Sequence, residues 1–338
     1  MATAFENLGK PLRDLKLQIE GTQLEPIVRQ FEQELQAAGI RRLRPKLYLS
    51  TEWGVPEGTI AIGIPFYLAS PELAALHAER AGFVEGTSPA SILRYLRHEM
   101  GHVVNYAYLL YEDPAWVELF GSITQPYLTD YRPQPFSRRY VVHLPGWYAQ
   151  MHPDEDWSET FAVWMTPGRD WRAEHADWPE ALKKLRYCDR KIREIGEQDP
   201  VVTRAEVDED VSQMSLTLDD LYQVSAEDER FPPGLDGALR TIFEDYQQPD
   251  AGSTAPRQPA GRLIRRLERD LMANVFRWTG HFPERTQVLL RHLAARAEFL
   301  GQVYPADREQ EAVVAFTVLA ASLAMNHVYR GSYLSGDP

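Results

Sequence analysis

The sequence predicts an α+β fold: a small mixed sheet with site-bearing helices, followed by a mostly helical C-terminal region. Three observations predict it. Several runs repeat apolar residues at helical spacing, two short runs of β type lie near the N-terminus, and three further helical runs follow a stretch rich in Pro, Gly and polar residues. The expected organisation is a first domain over residues 1–200, an acidic connecting segment and linker over 201–261, and a helical region over 262–338.

The elements follow in order. Ile27, Phe31 and Leu35 repeat at helical spacing and Gly39 follows as a stop, which predicts a first helix over 24–39. RPKLYLS and IAIGIPFYL read as two strands around a turn rich in Gly and Pro. A helix is expected at 71–81 and a longer one over 89–111, with Ser88 as N-cap and Pro89 at its first position. Residues 113–150 show no period and read as a long structured loop. Acidic residues open, and Pro167-Gly168 closes, a helix over 154–165. Another is expected over 178–197. Residues 245–262 are a linker by composition, and helices are expected over 262–279, 284–300 and 307–330.

Composition narrows the function. With 338 residues, 44% of them hydrophobic, the chain can bury a core. A net charge of −13 repels nucleic acid over most of the surface. One cysteine, Cys188, makes neither an internal disulfide nor a Cys-based zinc site, and it fits a reducing compartment. The first residues lack the apolar core of a signal peptide. The expectation is therefore cytoplasmic. The apolar run 312–325 is short of the ~20 residues a bilayer needs and reads as a buried helix, so no membrane partner is expected.

The informative stretch is LRHEMGHVVN, residues 96–105. On a helix His98 and His102 lie about 40° apart, Glu99 about 100° from His98, and Leu93, Leu96, Met100, Val103 and Ala107 on the far side. One face can enter a core while its neighbour presents two imidazoles and a carboxylate. Imidazoles one turn apart can share a tetrahedral ion, and Glu99 is placed to take a proton from a metal-activated water. Chance gives about 0.02 occurrences of His-Glu-x-x-His in such a chain, which favours a site over two unrelated histidines. Gly101 leaves room for another backbone to approach.

A catalytic zinc site commonly has three protein ligands. VVNYAYLLYED, which follows, supplies no third histidine. Glu159 is the preferred third ligand, because it points away from the side shared by Trp157, Phe161, Trp164 and Met165. Asp156 and His143 are the alternatives. Asp156 is also a candidate to orient a liganding imidazole, whereas Glu155 reads as an exposed residue complementing the helix dipole. Tyr148, then His152, are the candidates to stabilise a developing oxyanion, ahead of Tyr140 and His143. IAIGIPFYL could be an edge strand that a peptide extends, or a buried strand.

HEMGH with a distant glutamate resembles the gluzincin metallopeptidases. The pieces PLRDLKLQIEG, IAIGIPFYLASPEL, LRHEMGHVVNYAY, HPDEDWSETFAVW and ALKKLRYCDRKIREI resemble more closely a bacterial family known as putative zinc-binding metallopeptidases, over residues 8–200. The resemblance implies a zincin-like domain, and its HPDEDWSET piece favours Glu159 as ligand. Many members carry a cysteine-rich zinc ribbon, which a single Cys188 cannot build.

The expectation is a metallopeptidase with one Zn2+ per chain on His98, His102 and Glu159, Glu99 as general base, and a peptide or protein substrate. Two rivals stand beside it. One is a zinc-dependent amidase acting on a non-protein substrate; the other is a non-catalytic, zinc-stabilised binding module with a protein partner on the C-terminal helices. Glu99 argues against the latter, since a structural site needs no base and is closed by four protein ligands.

Overall fold

The computed structural model describes residues 8–81, 83–127, 131–223, 231, 234–245 and 256–334. Among the described residues helix predominates, with two small sheets. Contacts divide the chain into two units: Met1–Arg80 with Val84–Gln223, and Ala81–Phe83 with Val224–Pro338.

The first unit opens with α1 (Leu24–Ala37), β1 (Lys46–Ser50), β2 (Ala61–Pro65), α2 (Pro71–Ala81) and α3 (Pro89–Ala107). It continues with α4 (Pro114–Phe120), α5 (Pro153–Met165), α6 (Trp171–Glu174), α7 (Pro179–Ile195) and α8 (Leu218–Gln223). Strands β1 and β2 pair in parallel, with Lys46 opposite Ala61 and Ser50 opposite Pro65, so the Gly- and Pro-rich segment between them is a crossover and not a hairpin turn. Every residue of β2 is buried, and the Gly63 N–H donates to Gly54 O at 2.8 Å. Peptide addition to an open edge therefore has no room at that position, and β2 is the buried strand of the two alternatives.

The caps explain where the helices start. Ser88 Oγ accepts from the Ser91 N–H at 3.2 Å while Ser91 Oγ accepts from the Ser88 N–H at 2.9 Å, with Pro89 following as the first helical residue. α3 ends at Ala107, four residues before the expected 111. Leu109 turns left-handed at φ +50°, and the Ala107 carbonyl accepts from the N–H groups of Val201 and Val202. The loop expected over 113–150 contains α4, capped by Asp113, whose side chain accepts from the Ala115 N–H at 2.9 Å.

The core of this unit gathers Phe31, Ile62, Leu96, Met100, Val103, Trp116, Trp157 and Phe161, all fully buried. Arg97 locks α3 to α1 through a buried bidentate pair with Glu34 at 2.8 and 2.9 Å. The unit runs on to Gln223, beyond the boundary expected at 200. Backbone hydrogen bonds hold 201–223 to it: the Val211 N–H donates to Leu49 O, and the carbonyls of Met214 and Leu216 accept from Arg13 and Leu12.

The second unit holds α9 (Leu235–Arg240), β3 (Glu244–Asp245), β4 (Arg257–Pro259), α10 (Ala260–Thr279), α11 (Pro283–Phe299), β5 (Gln302–Pro305) and α12 (Glu309–Arg330). The strands form an antiparallel sheet in the order β3-β5-β4. Residues 246–255 of the expected linker lie outside the described residues; Asp245 belongs to β3, 257–259 to β4, and 260–262 open α10. α10 packs against α11 and α12 around Leu263, Met272, Leu290, Leu293 and Phe316. The apolar run 312–325 is only half a core helix: Phe316, Ala320, Leu323 and Ala324 are buried, but Val314, Val318 and Met325 are exposed. By length and composition alone, residues Ala306–Arg330 would suffice to cross a membrane.

Candidate metal centre

The centre lies where α3 crosses α5. A side chain at Gly101 would place its Cβ 2.6 Å from Ser158 Cα, so only glycine lets the two backbones meet there. Trp157 seals the crossing from the core side, its Nε1–H donating to Gly101 O at 2.8 Å. α5 is set in register by its N-cap: His152 Nδ1 accepts from the Asp154 N–H at 3.2 Å, and Pro153 follows.

This crossing brings His98, His102 and Glu155 together, all buried. His98 Nε2 is 3.0 Å from Glu155 Oε2, His102 Nε2 is 3.5 Å from the same oxygen, and the two Nε2 atoms are 3.3 Å apart. A tetrahedron with metal–ligand arms of 2.0–2.1 Å has edges of about 3.3 Å, so the three atoms match one face of a zinc site. The opposite nitrogens are held from behind. His98 Nδ1 lies 3.0 Å from Glu159 Oε1 and His102 Nδ1 lies 2.8 Å from Asp154 Oδ2. Carboxylates in this position fix the tautomer that leaves Nε2 for a metal. The donor set thus fits a divalent ion of the zinc type.

Glu159 therefore does not stand where the sequence reading put it. Its carboxylate also accepts from the backbone N–H groups of His143 (2.7 Å) and Leu144 (2.9 and 3.0 Å), which occupies both oxygens. Glu155 takes the position assigned to Glu159. The two are one turn apart on the same face, and a helical wheel gives direction but not height along the axis. Nor is the acidic first turn exposed, as Asp154, Glu155 and Asp156 are 1%, 6% and 3% exposed. Asp156 does not orient an imidazole either; it accepts from Lys184 Nζ at 2.5 Å and ties α5 to α7.

Asp154 is a hub. Besides His102 it accepts from Asn105 Nδ2 and the Tyr106 hydroxyl, each at 2.6 Å. Asn105 and Tyr106 follow His102 by three and four residues, a spacing that puts all three on one helical face. That spacing was the available signal for them. The Tyr127 hydroxyl donates to Glu155 Oε1 at 3.2 Å and comes from the aperiodic stretch, where no pattern marks it.

Among the remaining candidates, the Tyr148 ring meets His98 edge-on at 5.7 Å between centroids. His152 is committed elsewhere: beyond its cap, its Nε2 donates to Gln125 O at 2.8 Å, leaving neither nitrogen for an oxyanion. His143 donates from Nε2 to Arg94 O at 3.0 Å and is not part of the cluster.

Burial opposes charge on each of these groups. Contacts across the imidazole–carboxylate pairs outweigh it, holding His98 and His102 above the usual histidine range and Glu155 and Asp154 below the usual carboxylate range. For Glu99 burial wins over the pull of His98 and His102, and its carboxyl is pushed up.

The fold and the site define a mixed, mostly helical protein with a buried candidate metal centre of two imidazoles and one carboxylate. Residues 57–176, which contain the whole of that centre, match the family described as "Putative zinc-binding metallo-peptidase". No curated protein and no solved structure matches the chain.

Proposed function

We propose that the first unit is a gluzincin-like zinc peptidase that hydrolyses peptide bonds in a peptide or protein substrate. One observation carries the reading: two Nε2 atoms and one carboxylate oxygen converge at zinc-site spacing, with both Nδ1 atoms held by carboxylates. His98, His102 and Glu155 are the ligands. Zinc bound there would supply Lewis acidity, polarising a carbonyl and lowering the pKa of water toward ~7.

The chain's own groups do the rest. Glu99 accepts a proton from the attacking water on its carboxylate and passes it to the leaving amine. Tyr148, beside His98, donates its hydroxyl to the oxygen that gains charge. Asp154 and Glu159 keep the imidazoles oriented and their Nδ1 protons in place. Three protein ligands group together among the described residues, the number a catalytic site uses, while a structural site uses four.

The test is a panel of peptides, with small amides of non-protein type alongside, assayed with and without chelator. Peptide cleavage should stop on chelation and return with zinc. Glu99→Gln should keep one zinc per chain and lose about 10²–10⁴ in kcat. A Glu99→Gln protein as active as its parent removes the reading, and turnover of the amides alone shifts it to an amidase.

A further inference from the structure

Two of the three ligands are braced from behind by buried carboxylates, and the third raises the question of what braces it. Glu155 is a carboxylate with two equivalent oxygens. Left to rotate, it can offer one oxygen or both to an ion, and the number offered sets the coordination number.

We propose that Tyr127 is the positioning residue for Glu155: its hydroxyl donates to Oε1 at 3.2 Å and leaves Oε2 alone turned to His98 and His102. The inference rests on the zinc-site reading above and adds a residue to it. Tyr127 is itself fixed. Its ring stacks on His152, with centroids 3.9 Å apart and planes 13° from parallel. His152 is fixed in turn at both nitrogens, by Gln125 O and by the Asp154 N–H. The first turn of α5 therefore carries both the ligand and the platform that holds the ligand's clamp. The loop closes from Tyr127 to Glu155, back along the helix to His152, and to Tyr127 again. Unlike Asp154 and Glu159, Tyr127 is not a buried residue: it is 49% exposed.

The proposal makes Glu155 a ligand through one oxygen because the other is occupied. Tyr127→Phe keeps the ring and its stack and removes the donor alone. Full-length parent and variant, stripped of metal, are compared by zinc competition against a chromophoric chelator and by the visible spectrum of the Co2+-loaded protein. Zinc affinity should fall about tenfold in the variant. The Co2+ absorption should weaken as Oε1 swings in and raises the coordination number. Melting of the metal-free proteins should be the same.

Unchanged affinity together with an unchanged Co2+ spectrum overturns the proposal. So does a lower affinity matched by a lower metal-free melting temperature with the spectrum intact, because Tyr127 would then only hold its loop. A parent that binds no stoichiometric metal fails at the earlier step and takes the zinc-site reading with it.

Discussion

Gly101 lies against Ser158 so closely that a Cβ on the glycine would stand 2.6 Å from the serine's Cα. The contact sets the height at which α5 meets α3, and thereby which acidic residue faces both Nε2 atoms. Gly101→Ala gains a little helix propensity, up to ~1 kcal/mol. It must push two backbones apart, which costs about 1–3 kcal/mol in overpacking. The variant should melt lower and bind zinc more weakly than the parent. A melting temperature equal to the parent's would show that the helices separate without penalty.

Glu155 and Glu159 should separate cleanly by substitution. Glu155→Ala removes a ligand and should abolish stoichiometric zinc. Glu159→Gln removes a brace, keeps a side chain that can accept from the same N–H groups, and should weaken zinc by about 10–100-fold while retaining it. Metal content after gel filtration and chelator competition decide it. The reverse ranking would return the ligand role to Glu159.

Lys184 and Asp156 form a buried pair at 2.5 Å, with Lys184 Nζ also donating to Arg139 O at 3.2 Å. Burial pushes the Asp156 carboxyl up to about 6 even against the lysine's charge. Lys184→Met leaves that carboxyl without its counter-charge and should cost about 3–5 kcal/mol in urea unfolding. Adding Asp156→Asn should recover part of the loss, and a loss below ~1 kcal/mol in the single variant would contradict the account.

His77 gives the first unit a pH response. Its ring stacks on Tyr67 at 3.8 Å, its Nδ1 meets the Tyr222 hydroxyl at 3.1 Å, and burial lowers its pKa to about 4. Between pH 6.5 and 4 the unfolded chain binds a proton there that the folded chain does not. Its contribution is therefore whole above pH 6.5 and is lost as pH falls toward 4, by on the order of 2–3 kcal/mol. Urea unfolding at pH 7.5 and pH 5 should show a smaller difference for His77→Phe than for the parent. An equal difference would mean that His77 titrates normally in the fold.

Much of the site was legible before any coordinates. The imidazole pair and Gly101 could be read because one helix carries them all, and helical geometry converts spacing into direction. Helix ends could be read where a cap marks them, as at Ser88 and Pro89. The failures share a cause: each depended on a second element. The carboxylate that faces both Nε2 atoms comes one turn earlier than the residue the wheel favoured, the parallel pairing of β1 with β2 did not show in two adjacent apolar runs, and α12 kept one face exposed although its composition suggested burial.

By itself the sequence determined which chemistry could be present: two imidazoles and a carboxylate carried by one helix, and an acidic helix to meet them. Only the tertiary structure decided that Glu155 faces both Nε2 atoms while Glu159 faces the Nδ1 of His98, that Asp156 belongs to Lys184, and that Tyr127 reaches the site from a loop. The physical reason is that periodicity fixes the angle of a side chain about its own axis, whereas the height at which two helices cross is set by close contacts between them, here Gly101 against Ser158.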